Sequence, residues 1–142
     1  MKQKKIYTLG TGIRSMEDFI EILNSYDIGA IIDVRSFPRS KLDHFKKSNL
    51  ESILKKELFE YHYLGKELGG FRKGGYENYT HTAEFELGVN KLEEIAVKKT
   101  AVVICAERFP WKCHRRYIAR ALRYRGWRVE HIIDKGKVWV PK

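Results

Sequence analysis

Cysteine is scarce in this chain, with Cys105 and Cys113 the only two in 142 residues. Two thiols cannot make the disulfide framework that staples small secreted domains. Long apolar runs are missing as well, and none approaches the ~20 residues that a membrane-spanning helix needs. The opening M-K-Q-K-K-I-Y-T-L-G has basic residues but no apolar signal core, which argues against export. No internal repeat, low-complexity tract or linker divides the sequence. These absences predict a single domain over residues 1–142, in the cytoplasm and with no membrane partner.

Several familiar site signatures are also missing. The glycine-rich stretch after Leu64 has Lys66 followed by Glu67, whereas a phosphate-binding Walker loop needs lysine followed by serine or threonine. Gly10-Thr11-Gly12-Ile13-Arg14-Ser15 does not complete G-x-G-x-x-G. The cysteines are eight positions apart, wider than the C-x-x-C of common redox pairs. A phosphatase-type loop on Cys105 would want arginine at position 111, which is Trp. Structural zinc sites use about four ligands at paired spacings. No second C-x-x-C or H-x-x-x-H supplies them, so no metal ligand set is assigned, and no cofactor is specified.

What is abundant is positive charge. The formal net charge is +10, and such a field attracts phosphate, nucleic acid or acidic surfaces. Apolar residues make up 43% of the chain, enough for a proper core.

Their spacing alternates between strand and helix patterns. Lys5–Leu9 reads as a strand ending at Gly10-Thr11-Gly12. Ser15 and Asp18 read as a capping box, opening a helix with Phe19, Ile20, Leu23 and Tyr26 on one face. Ala30–Val34 is an apolar run broken by Asp33, as expected of a strand covered on both faces. Ser48 and Glu51 suggest a second capping box, with Leu50, Ile53, Leu54 and Leu58 as the apolar face. Phe59–Leu64 reads as a third strand, and Gly65–Gly75 as a loop with five glycines in eleven residues. Thr82 caps a helix presenting Phe85, Val89, Leu92, Ile95 and Ala96. Thr100–Cys105 is a fourth strand. A helix from about His114 to Gly126 follows, then a strand from Arg128. The turn Asp134-Lys135-Gly136-Lys137 leads to a short strand at Val138–Val140. The pattern predicts an α/β, three-layer, mostly parallel sheet flanked by helices, closed by a C-terminal hairpin.

Ligands of such sheets bind beyond the carboxyl ends of the strands. That edge collects Thr11, Asp33, Arg35, Lys66, Glu67, Cys105, Glu107, Cys113, His114 and Arg115. Cys105 reads first as a buried strand end. Cys113, at a helix start beside His114, Arg115 and Arg116, is better placed to be a thiolate. Asp33, Glu107, Cys113 and His114 are the candidates for proton transfer or nucleophilic work. The competing expectation, favoured for Asp33, is a pair with an arginine such as Arg35 or Arg115. Thr11, Arg35, Lys66, Glu67, Arg115 and Arg116 are the candidates for ligand contacts. Between Arg108 and Arg128 there are eight basic residues and no acidic one. On a helical projection Arg116, Arg120 and Arg123 form a stripe opposite Tyr117, Ile118, Ala121 and Leu122. That stripe suits nucleic-acid phosphates, and the loop aromatics Phe37, Phe71, Phe109 and Trp111 suit stacking on bases.

Four segments carry a family resemblance. They are Y-T-L-G at Tyr7–Gly10, D-V-R-S-F-P-R-S at Asp33–Ser40, Y-L-G-K-E-L-G-G at Tyr63–Gly70 and C-A-E-R-F-P-W-K-C-H-R-R-Y-I-A at Cys105–Ala119. In this order the chain resembles the family catalogued as domain of unknown function 488. The resemblance implies an α/β domain and no established reaction. Many relatives carry a His-Ser pair where this chain has Thr11 and Gly12, so no role attached to that pair transfers. The leading expectation is a strand-end pocket for a phosphorylated or nucleic-acid ligand, whether or not it is catalytic. A non-catalytic nucleic-acid or partner-binding module, and a thiol-redox or metal site on the cysteines, are the alternatives. Oligomeric state is not readable.

Overall fold

The structure is a computed structural model that describes residues 4–36 and 42–141. In chain order the elements are β1 (Lys5–Gly10), α1 (Met16–Ser25), β2 (Ala30–Asp33), α2 (Lys47–Lys56), β3 (Glu60–Tyr63), α3 (Gly65–Leu68), α4 (Tyr76–Tyr79), α5 (Ala83–Ala96), β4 (Ala101–Cys105), α6 (Arg115–Tyr124), β5 (Arg128–Asp134) and β6 (Lys137–Trp139). One six-stranded sheet results, in the order β3-β2-β4-β1-β5-β6. All neighbours are parallel except β5 and β6. No helix among the described residues is long and apolar enough to cross a membrane.

The central strands are apolar on both faces because each face is covered. Successive strand side chains point to opposite sides. Ile6, Ala30, Ile32, Val103 and Cys105 pack with α5 and α6 residues such as Phe85, Val89, Ile118 and Leu122. Tyr7, Leu9, Ile31, Val102 and Ile104 pack with Phe19 and Ile22 of α1 and Leu50 and Leu54 of α2. These are the predicted three layers.

Three local expectations are corrected. Ser48 does not cap α2, because the helix begins at Lys47 with Lys46 as an N-cap that makes no side-chain bond. Leu58 leaves the apolar face, since the chain turns there at φ 68° and exposes it while Phe59 is buried. The glycine-rich stretch is not all loop. Its first residues form α3, held down by Leu68, which sits so close to α5 that a Cβ at Gly88 would come within 2.7 Å of it. The caps by Ser15 and Thr82 form as expected, accepting from the N–H groups of Asp18 and Phe85.

His131 of β5 is buried beside Thr8, sharing a 2.6 Å hydrogen bond between Nδ1 and the threonine hydroxyl. Burial, reinforced by the charges of Arg115 and Arg123, pushes its pKa down to about 3. An unfolded histidine titrates near 6.5, so the unfolded chain takes up the proton first. Stability present above that value should therefore fall as pH drops from about 6.5 towards 3, by up to about 1.4 kcal/mol per pH unit from this group. Urea unfolding of wild type and His131→Gln across that range tests it. A variant with an equally steep pH dependence would refute the assignment.

Candidate functional site

The crevice beyond the strand ends is set by where the connections go. β2 and β4 are hydrogen-bonded neighbours. The chain leaves β2 for α2 on one face of the sheet and leaves β4 for α6 on the other. Such divergence opens a crevice between the two strand ends. The neighbouring gap between β1 and β4 is sewn shut. Thr11 N–H donates to the Cys105 carbonyl at 2.8 Å, and Gly12 N–H to the Ala106 carbonyl at 3.0 Å. Gly10 permits this approach, since a Cβ there would lie 2.0 Å from the Glu107 carbonyl oxygen.

What remains is a cleft of about 280 Å³ lined by Arg35, Ser36, Gly70, Phe71, Cys105, Ala106, Glu107, Lys112, Cys113 and His114. Its two thiols meet. Cys105 ends β4, and Cys113 lies just before α6. The turn Pro110–Lys112 folds the intervening loop back, so that the two Sγ atoms are 2.6 Å apart. Both cysteines are free and buried.

The environments of the two sulfurs differ. His114 Nε2 is 3.1 Å from the Val34 carbonyl oxygen. A carbonyl only accepts, so Nε2 carries a proton. Nδ1 lies 3.6 Å from Cys113 Sγ. The Arg115 N–H, at the start of α6, also donates to that sulfur at 3.5 Å. The Cys113 thiol is lowered to about 4. The hydrogen bond from Cys105 is the main cause, burial opposes it, and His114 and Arg115 reinforce it. The Cys105 thiol moves up, because burial disfavours its charged form and it donates to Cys113. Thus the two shifts run in opposite directions, and Cys113 is the more acidic of the pair. His114 is held against Tyr76, with ring centroids 5.2 Å apart. Gly70 touches the ring so closely that a Cβ would lie 2.7 Å from Nδ1, which accounts for one glycine of the G-K-E-L-G-G stretch.

The other predicted residues scatter. Asp33 is fully buried and gripped by Arg35, whose Nε and Nη2 reach Oδ1 and Oδ2 at 2.9 and 2.8 Å. The Tyr61 hydroxyl adds a 2.6 Å bond to Oδ2. The bond geometry explains both charges, and Arg35 reaches the cleft only as part of this pair. Glu107 is exposed on the cleft rim, so the two carboxylates occupy different environments. Glu67 is buried against Lys91 at 2.7 Å, and Lys66 is exposed. Neither they nor Thr11 line the cleft. Arg116 Nη1 donates to the Trp111 carbonyl at 2.8 Å. Arg120 is paired with Glu77 at 2.7 Å, and Arg123 is exposed. Arg115, a candidate for ligand contacts, is fully buried. Phe37 lies outside the described residues. Among those described, no group of three or more His, Cys, Asp or Glu is placed to hold a metal ion.

Ser36 and Lys112 are the site residues that sequence reasoning passed over; Cys105, which reads first as a buried strand end, joins Cys113 only in the thiol-redox or metal alternative. Ser36 and Lys112 carry no pattern of their own.

Two outcomes are expected. Alkylation of Cys113 by iodoacetamide should stay fast down to about pH 5, where an ordinary thiol of pKa about 8.5 is protonated, while Cys105 reacts slowly. A rate midpoint near 8.5 for Cys113 would refute its thiolate state. Asp33→Asn should destabilise the protein by about 3–5 kcal/mol, since it strands a buried guanidinium. Urea unfolding measures this, and a change below 1 kcal/mol, roughly the scale of an exposed pair, would contradict it.

The chain was compared with known proteins. A family model described as "Domain of unknown function DUF488" matches residues 15–122. No curated protein and no solved structure matches. The matched span runs from the cap of α1 into α6 and contains both cleft cysteines, and on that coverage the chain belongs to the family of domain of unknown function DUF488.

Proposed function

We propose that the strand-end cleft is a thiol-redox site, in which Cys113 is the nucleophile, His114 the imidazole that flanks it and Cys105 the resolving thiol. The observation that carries this reading is the 2.6 Å contact between the two sulfurs on the wall of an open cleft. Nucleophilic thiols are thiolates, favoured at helix N-termini and beside cations, and Cys113 has both.

The chemistry is thiol–disulfide exchange. Cys113 enters the reaction as the thiolate. The thiolate attacks one sulfur of a small disulfide, whose S–S bond breaks, and one half leaves as a thiolate. Cys113 is then joined to the other half. Cys105 attacks Cys113 Sγ, closing the Cys105–Cys113 bond and expelling the second thiolate. The Cys105 proton passes to one departing thiolate, and the other takes its proton from solvent. Two electrons move from the pair to the partner, and a thiol reductant reverses the sequence. Cys113 is only 7% exposed, which favours small partners over folded proteins.

A phosphate or nucleic-acid ligand has less support. Arg35, Arg116 and Arg120 already have partners, and Arg115 is in the core. Lys112 is the cation at the cleft that such a ligand would meet first.

Exposure to glutathione disulfide should convert the wild-type chain to an intramolecular disulfide, detected by mass spectrometry and reversed by dithiothreitol. Cys105→Ser should stop at a glutathione adduct on Cys113, and Cys113→Ser should remain unmodified. If wild type gains no Cys105–Cys113 bond, the proposal fails.

A further inference from the structure

The chain holds three tryptophans, and the fold uses them differently. Trp127 is 4% exposed, and its Nε1 donates to Glu93 at 2.9 Å. Trp111 and Trp139 stand 45% and 40% open to solvent, although burial of so large a ring would be strongly favourable. These two are not scattered. Trp111 lies in the turn Pro110–Lys112 that follows β4. Trp139 ends β6, opposite His131 in the antiparallel ladder. The fold brings them edge to face, with ring centroids 5.4 Å apart and planes at 80°. Phe109 stacks on Trp111 at 5.0 Å and 20°. The three rings form one continuous aromatic strip, which adjoins the cleft through Lys112.

Cations accompany the strip. The Arg108 guanidinium lies 5.3 Å and the Lys112 ammonium 5.9 Å from the centre of the Phe109 ring. Arg116 donates to the Trp111 carbonyl at 2.8 Å and to the Tyr117 hydroxyl at 3.0 Å. Both of those partners are neutral, so they do not offset its charge. Among the described residues, Arg108 meets only Asp134 at 4.0 Å, and Arg14 lies closer to that carboxylate at 3.5 Å. Glu107, on the cleft rim, accepts from the Phe109 N–H at 3.4 Å.

Open ring faces suit flat partners, and uncompensated cations suit anions. A single-stranded nucleic acid offers both, because its bases expose their faces and its backbone carries phosphates. A duplex hides the base faces in its own stack, and an acidic peptide brings carboxylates without the faces. We propose that Phe109, Trp111 and Trp139, with Arg108, Lys112 and Arg116 beside them, bind single-stranded nucleic acid by base stacking and phosphate contact. This surface differs from the helical stripe of Arg116, Arg120 and Arg123, because Arg120 is held by Glu77 and the rings come from the turn and from β6. It lies outside the cysteine pair and does not depend on the chemistry proposed there.

Titration of the full chain into a labelled oligothymidylate of about 15 nucleotides, followed by fluorescence anisotropy, tests the proposal. Trp111→Ala and Trp139→Ala should each weaken binding about tenfold, the scale of one lost stacking contact, while Trp111→Phe keeps most of it. The logarithm of the association constant should fall against that of salt with a slope of about −2, as about three phosphate contacts on a single strand require. A duplex of the same length should bind about tenfold more weakly. Lys98→Ala removes an exposed cation beside the amino ends of β1 and β4 and should change little. Equal affinity for duplex and single strand, or equal losses in Lys98→Ala and Trp111→Ala, would reduce the binding to net charge and overturn the proposal. The wild type gives a reading that needs no variant. Its tryptophan emission should be quenched as the oligonucleotide binds, and an unquenched complex overturns the stacking. So does a dimer in sedimentation that Trp139→Ala dissociates, since the strip would then be covered by a second copy of the chain.

Discussion

β2 and β4 share a parallel ladder, but their following connections diverge to opposite faces of the sheet. Everything at the carboxyl edge depends on that constraint. Two strands hydrogen-bonded side by side cannot both be covered at their ends by chains that depart in opposite directions, so a crevice opens there. The β1 connection seals the other side of β4 through two backbone hydrogen bonds from Thr11 and Gly12. The loop after β4 is thus pinned at its start. It turns through Pro110–Lys112 and enters α6 with Cys113 returned to the strand end. The contact between the sulfurs is a product of this route and not of their spacing in the chain.

The electrostatics of the cleft divide into two buried charge systems. In one, Asp33, Arg35 and Tyr61 satisfy one another, and this unit stabilises the end of β2. Its nitrogens are committed, so it offers little net charge to a ligand. In the other, Cys113 Sγ meets Cys105 Sγ, His114 Nδ1 and the Arg115 main-chain N–H at the start of α6. A net charge of +10 says little about either, because several of the most suggestive arginines are occupied. Arg120 is held by Glu77 and Arg125 by Glu86 and Glu93.

The strands and helices were legible because their signals are local. Apolar runs at Ala30–Asp33 and Ala101–Cys105 and caps at Ser15 and Thr82 depend on neighbours a few residues away. Where local signals misled, a distant contact had won. Leu68 against α5 made a helix of glycine-rich chain, and burial of Phe59 turned Leu58 outward. The candidate site was legible as a region, since residues that follow parallel strands must gather at one edge. Its membership was not. Glu67 and Lys66 follow β3 yet miss the cleft, while Ser36 and Lys112 line it.

Sequence alone determined the layered α/β architecture, the edge at which polar side chains collect, and the place of Cys113 beside a helix start. Periodicity and capping act over one or two turns, and such order is written in adjacent residues. Tertiary structure decided the strand order, the closing of the β1–β4 gap, the capture of Asp33 by Arg35, and the meeting of Cys105 with Cys113. It also decided that Arg115 lies in the core, with Nε and Nη1 meeting no hydrogen-bond partner among the described residues. These depend on which strand ends are neighbours and which way the chain leaves them, and no pattern along the chain encodes a distance between its separate parts.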